Sequence, residues 1–445
     1  MINEDLKNIQ IDLPAEIKFV LDRLNKFKHK AYVVGGCVRD SILGKNPDDW
    51  DVTTSASPDE IKYAFADQRT IDTGIKHGTV TVIISKKPVE VTAFRTDGAY
   101  SDSRHPDFVN FTKDIHEDLS RRDFTINAMA YNPKYGLIDE FGGISDLHNK
   151  IIRTVGDPEK RFSEDALRIM RAVRFSSVLG FEIEKNTADA IKKDVVLLLN
   201  ISAERIQKEL IKLLVGENVF DVLLNYREVF GAIIPELSSE FDFRQIGKKH
   251  AYDVWTHTCH TVKNIEPDSV LRLTMLLHDV GKPVTCVYDE NGDTLFPNHA
   301  AVGGIMAENI LKRLRFPNKV ISKVSYLVSI HDKKVPETKV DVKKYICDVG
   351  ADNFLPMMKI RKADRSALSD GYNDISDKIN VAISLFYDII NNNEPYMLSQ
   401  LKINGNDLKK KGVDDEKIGG KLNEILEKVI ENPNLNEKHT LLEMI

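Results

Sequence analysis

Short β-rich runs crowd into the first third of this 445-residue chain and then stop. AYVVGG (31–36), DWDVTT (49–54), TVTVII (79–84) and VEVTAF (89–94) alternate with helix-period stretches such as LPAEIKFVLDRLNKF and PDEIKYAF. Strands and helices interleaved over about 150 residues specify an α/β layer. From about residue 160 the strand period gives way to helical patterns, among them EDALRIMRAVRF, AERIQKELIKLL and AVGGIMAENILKRL. Gly216, Pro235, Pro267, Pro283, Pro297, Pro317 and Pro336 cut these into many short helices. No internal repeat or low-complexity segment interrupts the pattern. The chain reads as an α/β head with a mixed sheet, an all-α neck, a larger helical body and a helical tail.

Charge narrows the partners. With 62 Lys+Arg against 68 Asp+Glu, the net charge is -6, which argues against nucleic-acid binding through a bulk positive field. A confined track is still available. Residues 150–175 carry Lys150, Arg153, Lys160, Arg161, Arg168, Arg171 and Arg174 against only Asp157, Glu159, Glu164 and Asp165. The four cysteines (Cys37, Cys259, Cys286 and Cys347) form no CxxC pair, so no disulfide framework or zinc knuckle is indicated. The polar start MINEDLKNIQIDLPAE has no signal-peptide core, and no apolar run approaches the roughly 18–20 residues that span a bilayer. The expectation is a soluble cytoplasmic protein.

The segment AYVVGGCVRDSILGKNPDDWDVTT concentrates the chemistry. Gly35-Gly36 follow a strand and precede a helix, where backbone N–H groups can approach a phosphate and Arg39 can add a charge-assisted contact. By itself this reads as a tight turn. Asp49 and Asp51, at i and i+2 on a strand, share a face. Two carboxylates side by side suit Mg²⁺ ions that also take phosphate oxygens, although an isolated DxD also fits a solvated loop.

Taken together, GG-x-V-R-D-x-x-L-G followed by D-x-D-x-x-T resembles the first motif of the DNA polymerase β nucleotidyltransferase superfamily. Within it, the match is to the bacterial class II CCA-adding enzymes. Residues 121–130, RRDFTINAMA, resemble the second motif of that family. The resemblance implies that Arg122, Asp123 and Asn127 serve the triphosphate and the sugar. Residues 97–107 are rich in Asp, Ser, Gly and Pro and read as a loop. They resemble the family's flexible loop through Asp97, Tyr100, Asp102 and Arg104, a feature that accompanies addition of the terminal A. Glu90, on a neighbouring strand, is a candidate third acid or a structural carboxylate.

Residues 163–175 read as one helix capped by Ser163, with Asp165 and Arg168 three apart on one face. Taken alone, that is a wet i,i+3 ion pair. The stretch resembles the family's EDxxRxxR motif. This implies that Asp165 and Arg168 present hydrogen-bond groups to the edge of CTP or ATP, with Arg171 and Arg174 holding phosphates or the tRNA end. Residues 202–210, SAERIQKEL, resemble the motif that braces this helix.

Six of the twelve histidines fall between 250 and 331. His257, His278-Asp279 (followed by Gly281-Lys282), His299 and His331, with a later Asp364, are residue types that suit divalent metals. HD-x-GK with its flanking residues resembles the all-helical HD phosphohydrolases. The resemblance implies that His257, His278, Asp279 and Asp364 ligate a divalent metal (Mg, Mn, Ni, Co or Fe), with His299 and His331 completing a second position. Hydrolysis of 2′,3′-cyclic phosphates or phosphomonoesters would follow, and an inert structural body is the alternative. His250 and His260 are given no role. Lys409, Lys410 and Lys411, in a stretch resembling the family's tail, meet tRNA phosphate or solvent.

The boundaries expected are a nucleotidyltransferase head (1–155), a neck reading base and tRNA end (156–235), an HD body (236–370) and a tail at the tRNA elbow (371–445). The resemblance implies addition of C, C and A to tRNA from CTP and ATP with Mg²⁺, by a monomer or homodimer. The alternatives are a bacterial poly(A) polymerase, an HD phosphohydrolase with a regulatory nucleotide-binding head, and a non-catalytic RNA-binding protein.

Overall fold

The computed structural model describes residues 9–98, 108–371 and 374–445. Tyr100, Asp102 and Arg104 of the expected loop lie outside them. The chain divides into two compact units at Ile233/Ile234.

In the first unit, α1 (Ala15–Lys26) leads into β1 (Ala31–Val34), α2 (Gly36–Ile42) and β2 (Asp51–Thr54). Next, α3 (Pro58–Ala64) opens on a capping box in which Ser57 and Glu60 satisfy each other's backbone N–H, with Pro58 at the first helical position. Then come β3 (Arg69–Gly74), β4 (Thr79–Ile84), β5 (Lys87–Ala93), β6 (Arg95–Asp97), β7 (Val109–Phe111), α4 (Ile115–Ser120), β8 (Met129–Asn132) and β9 (Gly136–Asp139).

Among the described residues, seven of these strands form one mixed sheet in the order β3-β4-β5-β2-β1-β8-β9. Only β2 and β5 run parallel, and their register sets Asp51 opposite Glu90. Side chains of such partners share a face. Val52, Val89 and Val91 fill the opposite face, which α1 covers. Tyr32, Val34, Phe94, Leu119 and Ala130 make a further buried cluster. The strand expected at 49–54 begins at Asp51, so Asp49 lies in the loop just before it.

The rest of the first unit is helical apart from β10 (Ile151–Ile152), which pairs in parallel with β11 (Glu182–Ile183). Between them, the single helix expected from Ser163 is in fact two. The first, α6 (Pro158–Glu164), is capped by Asp157, and the second, α7 (Leu167–Leu179), starts afresh after Ala166; a separate helix, α5 (Gly143–Asn149), precedes β10. Ser163 is not a cap: it lies inside α6 and donates its hydroxyl to the Lys160 carbonyl. Asp165 sits in extended backbone between the helices (φ -143°, ψ 100°), so it shares no helix face with Arg168. The break has a local cause, because the Asp165 carboxylate accepts from the Leu167 N–H (3.1 Å) and competes with helix continuation. Four helices complete the unit: α8 (Lys185–Asp194), α9 (Ala203–Leu214), α10 (Val219–Asn225) and α11 (Arg227–Ile233).

Among its described residues, the regular structure of the second unit is helical except for a short hairpin, Val287–Tyr288 with Thr294–Leu295. Its elements include α12 (Val254–Asn264), α13 (Ser269–Leu277), α14 (Lys282–Thr285), α15 (His299–Arg313), α16 (Asn318–Ile330), α17 (Lys339–Val349) and α18 (Ala351–Ser366). At its C-terminal end Leu401, Leu408, Ile425, Val429 and Leu441 form a core of their own. Among the described residues, no helix is long and apolar enough to cross a membrane.

Candidate functional site

At the open end of β2 and β5, three carboxylates gather. Desolvation, the Asp49 charge and only partial opposition from Arg122 hold the Asp51 carboxyl above its ordinary pKa. Glu90 is raised as well, by desolvation and then by Asp51 and Asp49. Acids that raise one another in this way are incompletely neutralised, and an all-oxygen donor set suits a hard divalent cation such as Mg²⁺.

Beside them, Gly35 adopts φ +84°, a conformation that L side chains rarely adopt. A Cβ there would come within 3.3 Å of Arg122 Nη1, so the turn must be glycine for the guanidinium to lie against it. Gly36 begins α2, and Arg39 follows in its first turn.

A buried polar chain then runs across the unit. Arg39 binds Asp40 through Nε (2.8 Å) and donates Nη1 to Asn127 Oδ1 (2.7 Å). Asn127 Nδ2 donates to Asp123 Oδ1 (3.1 Å), and Arg171 Nε donates to Asp123 Oδ2 (2.8 Å). Burial alone would raise Asp123, but Arg171 and the Asn127 hydrogen bond hold it at about 2. Arg174 is paired with Glu209 rather than left open, and Arg39, Arg171 and Arg174 all lie over the Phe175 ring.

Sequence reasoning missed Asp118. Its carboxylate is fully buried and accepts from Arg121 Nη2 (2.8 Å) and Thr53 Oγ1 (3.1 Å), with Arg122 Nη2 at 3.5 Å. Burial works against its charge, yet the two arginines keep its pKa below the ordinary value. The one available signal was the i,i+3 and i,i+4 spacing to Arg121 and Arg122. Asp97 lies at 3.6 Å from Arg121 Nη1.

Asp165 is gripped by Arg205 through both oxygens (3.2 and 2.8 Å). Arg168 spends Nη1 on the Arg161 carbonyl (3.0 Å) and Glu164 (2.8 Å), and one Nη2 hydrogen on the Arg121 carbonyl (2.9 Å). One acceptor position on Asp165 Oδ2 and one Arg168 Nη2 hydrogen remain.

The second unit brings together all six metal candidates. His278 Nε2 lies 3.1 Å and His257 Nε2 3.5 Å from Asp279 Oδ2. His299 and His331 Nε2 each lie 3.7 Å from Asp279 Oδ1. Asp364 Oδ1 meets His257 Nε2 at 3.2 Å. Two triads, His257/His278/Asp279 and Asp279/His299/His331, therefore share one bridging carboxylate.

The imidazoles are oriented from behind. His278 Nδ1 faces the Met275 carbonyl (2.7 Å), His299 Nδ1 that of Phe296 (2.8 Å) and His331 Nδ1 that of Val328 (2.8 Å). A carbonyl can only accept, so Nδ1 carries a hydrogen and Nε2 is the nitrogen turned inward, where a metal would take its lone pair. Gly281 permits the packing, since a Cβ there would meet the His299 carbonyl at 2.3 Å. Burial opposes the Asp279 charge, but His278 and Lys282 (Nζ at 2.6 Å) hold it well below the carboxylate range. Asp364 is likewise low against burial, through His257 and Arg361. Burial, then His278, pushes His331 down to about 4, so it is a neutral donor at pH 7. Mixed imidazole and carboxylate donors fit a divalent transition metal. His250 lines the cavity above the cluster, while His260 stacks on Tyr252.

Residues 31–153 match the "Poly A polymerase head domain" family. Residues 180–240 match "Probable RNA and SrmB- binding site of polymerase A", and 299–445 match "tRNA nucleotidyltransferase domain 2 putative". A CCA-adding enzyme of Ligilactobacillus salivarius is 35% identical over 450 residues, covering 97% of this chain and 96% of the relative. One from Enterococcus faecalis is 51% identical over 209 residues, covering 46% of this chain and 51% of that protein. The Bacillus stearothermophilus CCA-adding enzyme in complex with CTP is 30% identical with TM-score 0.70, covering 96% of this chain and 95% of that one. The Thermotoga maritima CCA-adding enzyme complexed with tRNA_CCA shares the fold at 20% identity, TM-score 0.63, covering 99% and 97%.

Proposed function

Because the chain belongs to the CCA-adding enzyme family, tRNA nucleotidyltransferases acting on the tRNA 3′ end, we propose that its catalytic centre is Asp49 and Asp51 with Glu90 as third acid. The observation that carries this reading is the Asp51–Glu90 register, which sets two mutually repelling carboxylates side by side with Asp49 adjoining. These residues would hold divalent metal, generally Mg²⁺ in this family, which supplies charge neutralisation at the triphosphate. The tRNA 3′ oxygen attacks the α-phosphorus of CTP or ATP in line, and the bond to pyrophosphate breaks. Arg122, at the Gly35 turn, and Arg39 face the departing charge. Asn127 and Asp123 fix Arg39 and Arg171 so that these cations need not reorganise during the step.

The base is read by what Asp165 and Arg168 have left. The free acceptor on Asp165 takes an exocyclic amino hydrogen, which cytosine and adenine both carry, and Arg168 donates to a neighbouring ring acceptor. UTP and GTP present the wrong pattern there and leave buried groups unpaired, which a hydrogen-bonding site rejects strongly. The head (1–155) thus supplies chemistry and the neck (156–235) supplies the template, in the cytoplasm where tRNA matures. The test offers tRNA transcripts ending before C, after C and after CC, each with one labelled nucleotide. Incorporation of C, C and A, then a stop, is expected. Runs of A would indicate a poly(A) polymerase, and no incorporation would overturn the reading.

A second activity is favoured by the four inward Nε2 atoms around Asp279 and Asp364. It is metal-dependent hydrolysis of a phosphoester by the HD-like body (236–370). Expected is cleavage of a nucleoside 2′,3′-cyclic phosphate with added Mn²⁺, Ni²⁺ or Co²⁺, lost on chelation. Wild-type protein inert with every metal would overturn it.

A further inference from the structure

The histidine cluster opens into a cavity of about 520 Å³. Beside it is a second cavity of about 720 Å³, bordered by Lys333, Lys334, Lys344 and Lys378 and by Glu337, Asp341 and Asp348. Arg361 and Arg365 line both. They lie four apart on α18, hence one turn apart on the same side. Arg361 Nη1 is tied to Asp364 (2.8 Å) and the His331 carbonyl (3.3 Å), which fixes its guanidinium beside the metal ligands. Its Nε is buried without a partner, and so is that of Arg365. Among the described residues the Arg365 side chain has no hydrogen bond or ion pair, so the part of its guanidinium that lines the cavities is uncommitted. Lys333 and Lys378 already have Asp348 and Glu337, so they compete weakly for an incoming anion.

We propose that Arg361 and Arg365 form a phosphate clamp between the two cavities. The HD-like centre then takes a nucleic-acid 3′ end, with the scissile phosphate over the histidines and the next phosphate, on the 5′ side, held by the clamp. The inference rests on the phosphohydrolase reading and specifies its substrate. The step is hydrolysis: a water oxygen bonds to phosphorus, the P–O ester bond breaks, and the water's proton ends on the leaving alcohol.

The test compares adenosine 2′,3′-cyclic phosphate with the dinucleotide CpA carrying the same cyclic end, using the full chain and Mn²⁺. Wild type should show a KM at least about tenfold lower for the dinucleotide, the scale of one charge-assisted contact. Arg365→Ala should abolish that difference chiefly through KM, and Arg365→Lys should restore part of it. Equal KM values in wild type, or an equal loss on both substrates in Arg365→Ala, would overturn the clamp. If wild type cleaves neither compound, the phosphohydrolase reading fails. The clamp is then judged by calorimetry of CpA 2′-phosphate with the chelator-treated chain. Tighter binding by wild type than by Arg365→Ala supports the clamp, and equal binding overturns it.

Discussion

In the first unit, three carboxylates crowd the open end of two strands with one guanidinium near them. In the second, two carboxylates are enclosed by four imidazoles, a lysine and an arginine. The same functional group is shifted in opposite directions: Asp51 and Glu90 upward, Asp279 and Asp364 downward. The difference lies in what surrounds the charge. The open acids remain under-neutralised until a cation and a triphosphate arrive, which suits a centre whose substrate must enter and leave at each addition. The buried acids already have donors on every side, which suits a resident metal.

That contrast can be broken by experiment. The largest effect should come from Asp49→Ala, which should lower nucleotide incorporation by about a thousandfold or more, while cyclic-phosphate hydrolysis continues. Parallel loss of both activities would mean that the centres are not separate. Next is Asp118→Ala. It strips a fully buried counter-charge from Arg121 and Arg122 and should cost about 3–5 kcal/mol, read as a lower denaturant midpoint. A loss under 1 kcal/mol would show that these arginines find water instead.

Asp279→Asn should weaken Mn²⁺ binding about 100-fold, since one carboxylate serves both triads. Calorimetry that still finds one site of full affinity would show that the triads are independent.

The smallest effect is expected from Glu90→Gln. A carboxyl whose folded pKa is raised binds its proton more tightly in the folded state. Stability is therefore lost as pH climbs through the window between the unfolded and folded values. Removing the charge should slightly raise the melting temperature of the metal-free protein at pH 7 and flatten this slope, while incorporation falls. A lower melting temperature would sink the account of an under-neutralised cleft.

Legibility in the sequence followed the separation of partners along the chain. Gly35, Arg39, Asp49 and Asp51 lie in one short stretch of chain, and the structure keeps them in one region, with Asp49 moved just off the strand. The histidine-rich window was visible as residue types, but which carboxylate bridges two triads depends on how five helices meet. Asp165 misled, because Ser-Glu-Asp-Ala reads as the first turn of one helix. Its partner Arg205 is 40 residues away, so the ion pair that engages the Asp165 carboxylate once the helix has broken could not be read locally. Strands β3, β8 and β9 also escaped notice. RTIDTG carries Asp and Gly, while MAYN, inside the edge strand β9, is buried at all four positions and so lacks the two-residue alternation.

The carbonyls behind the imidazoles have one more consequence. His278 and His331 each follow directly on the last residue of a helix and donate to the carbonyl three residues back. Helix ends leave such carbonyls without intrahelical partners. The tautomer of each ring is thus written by the end of its own helix rather than by distant neighbours. A histidine set just past a helix C-terminus is accordingly a transferable part: moved to another bundle with its last turn, it should arrive with the correct nitrogen already facing outward.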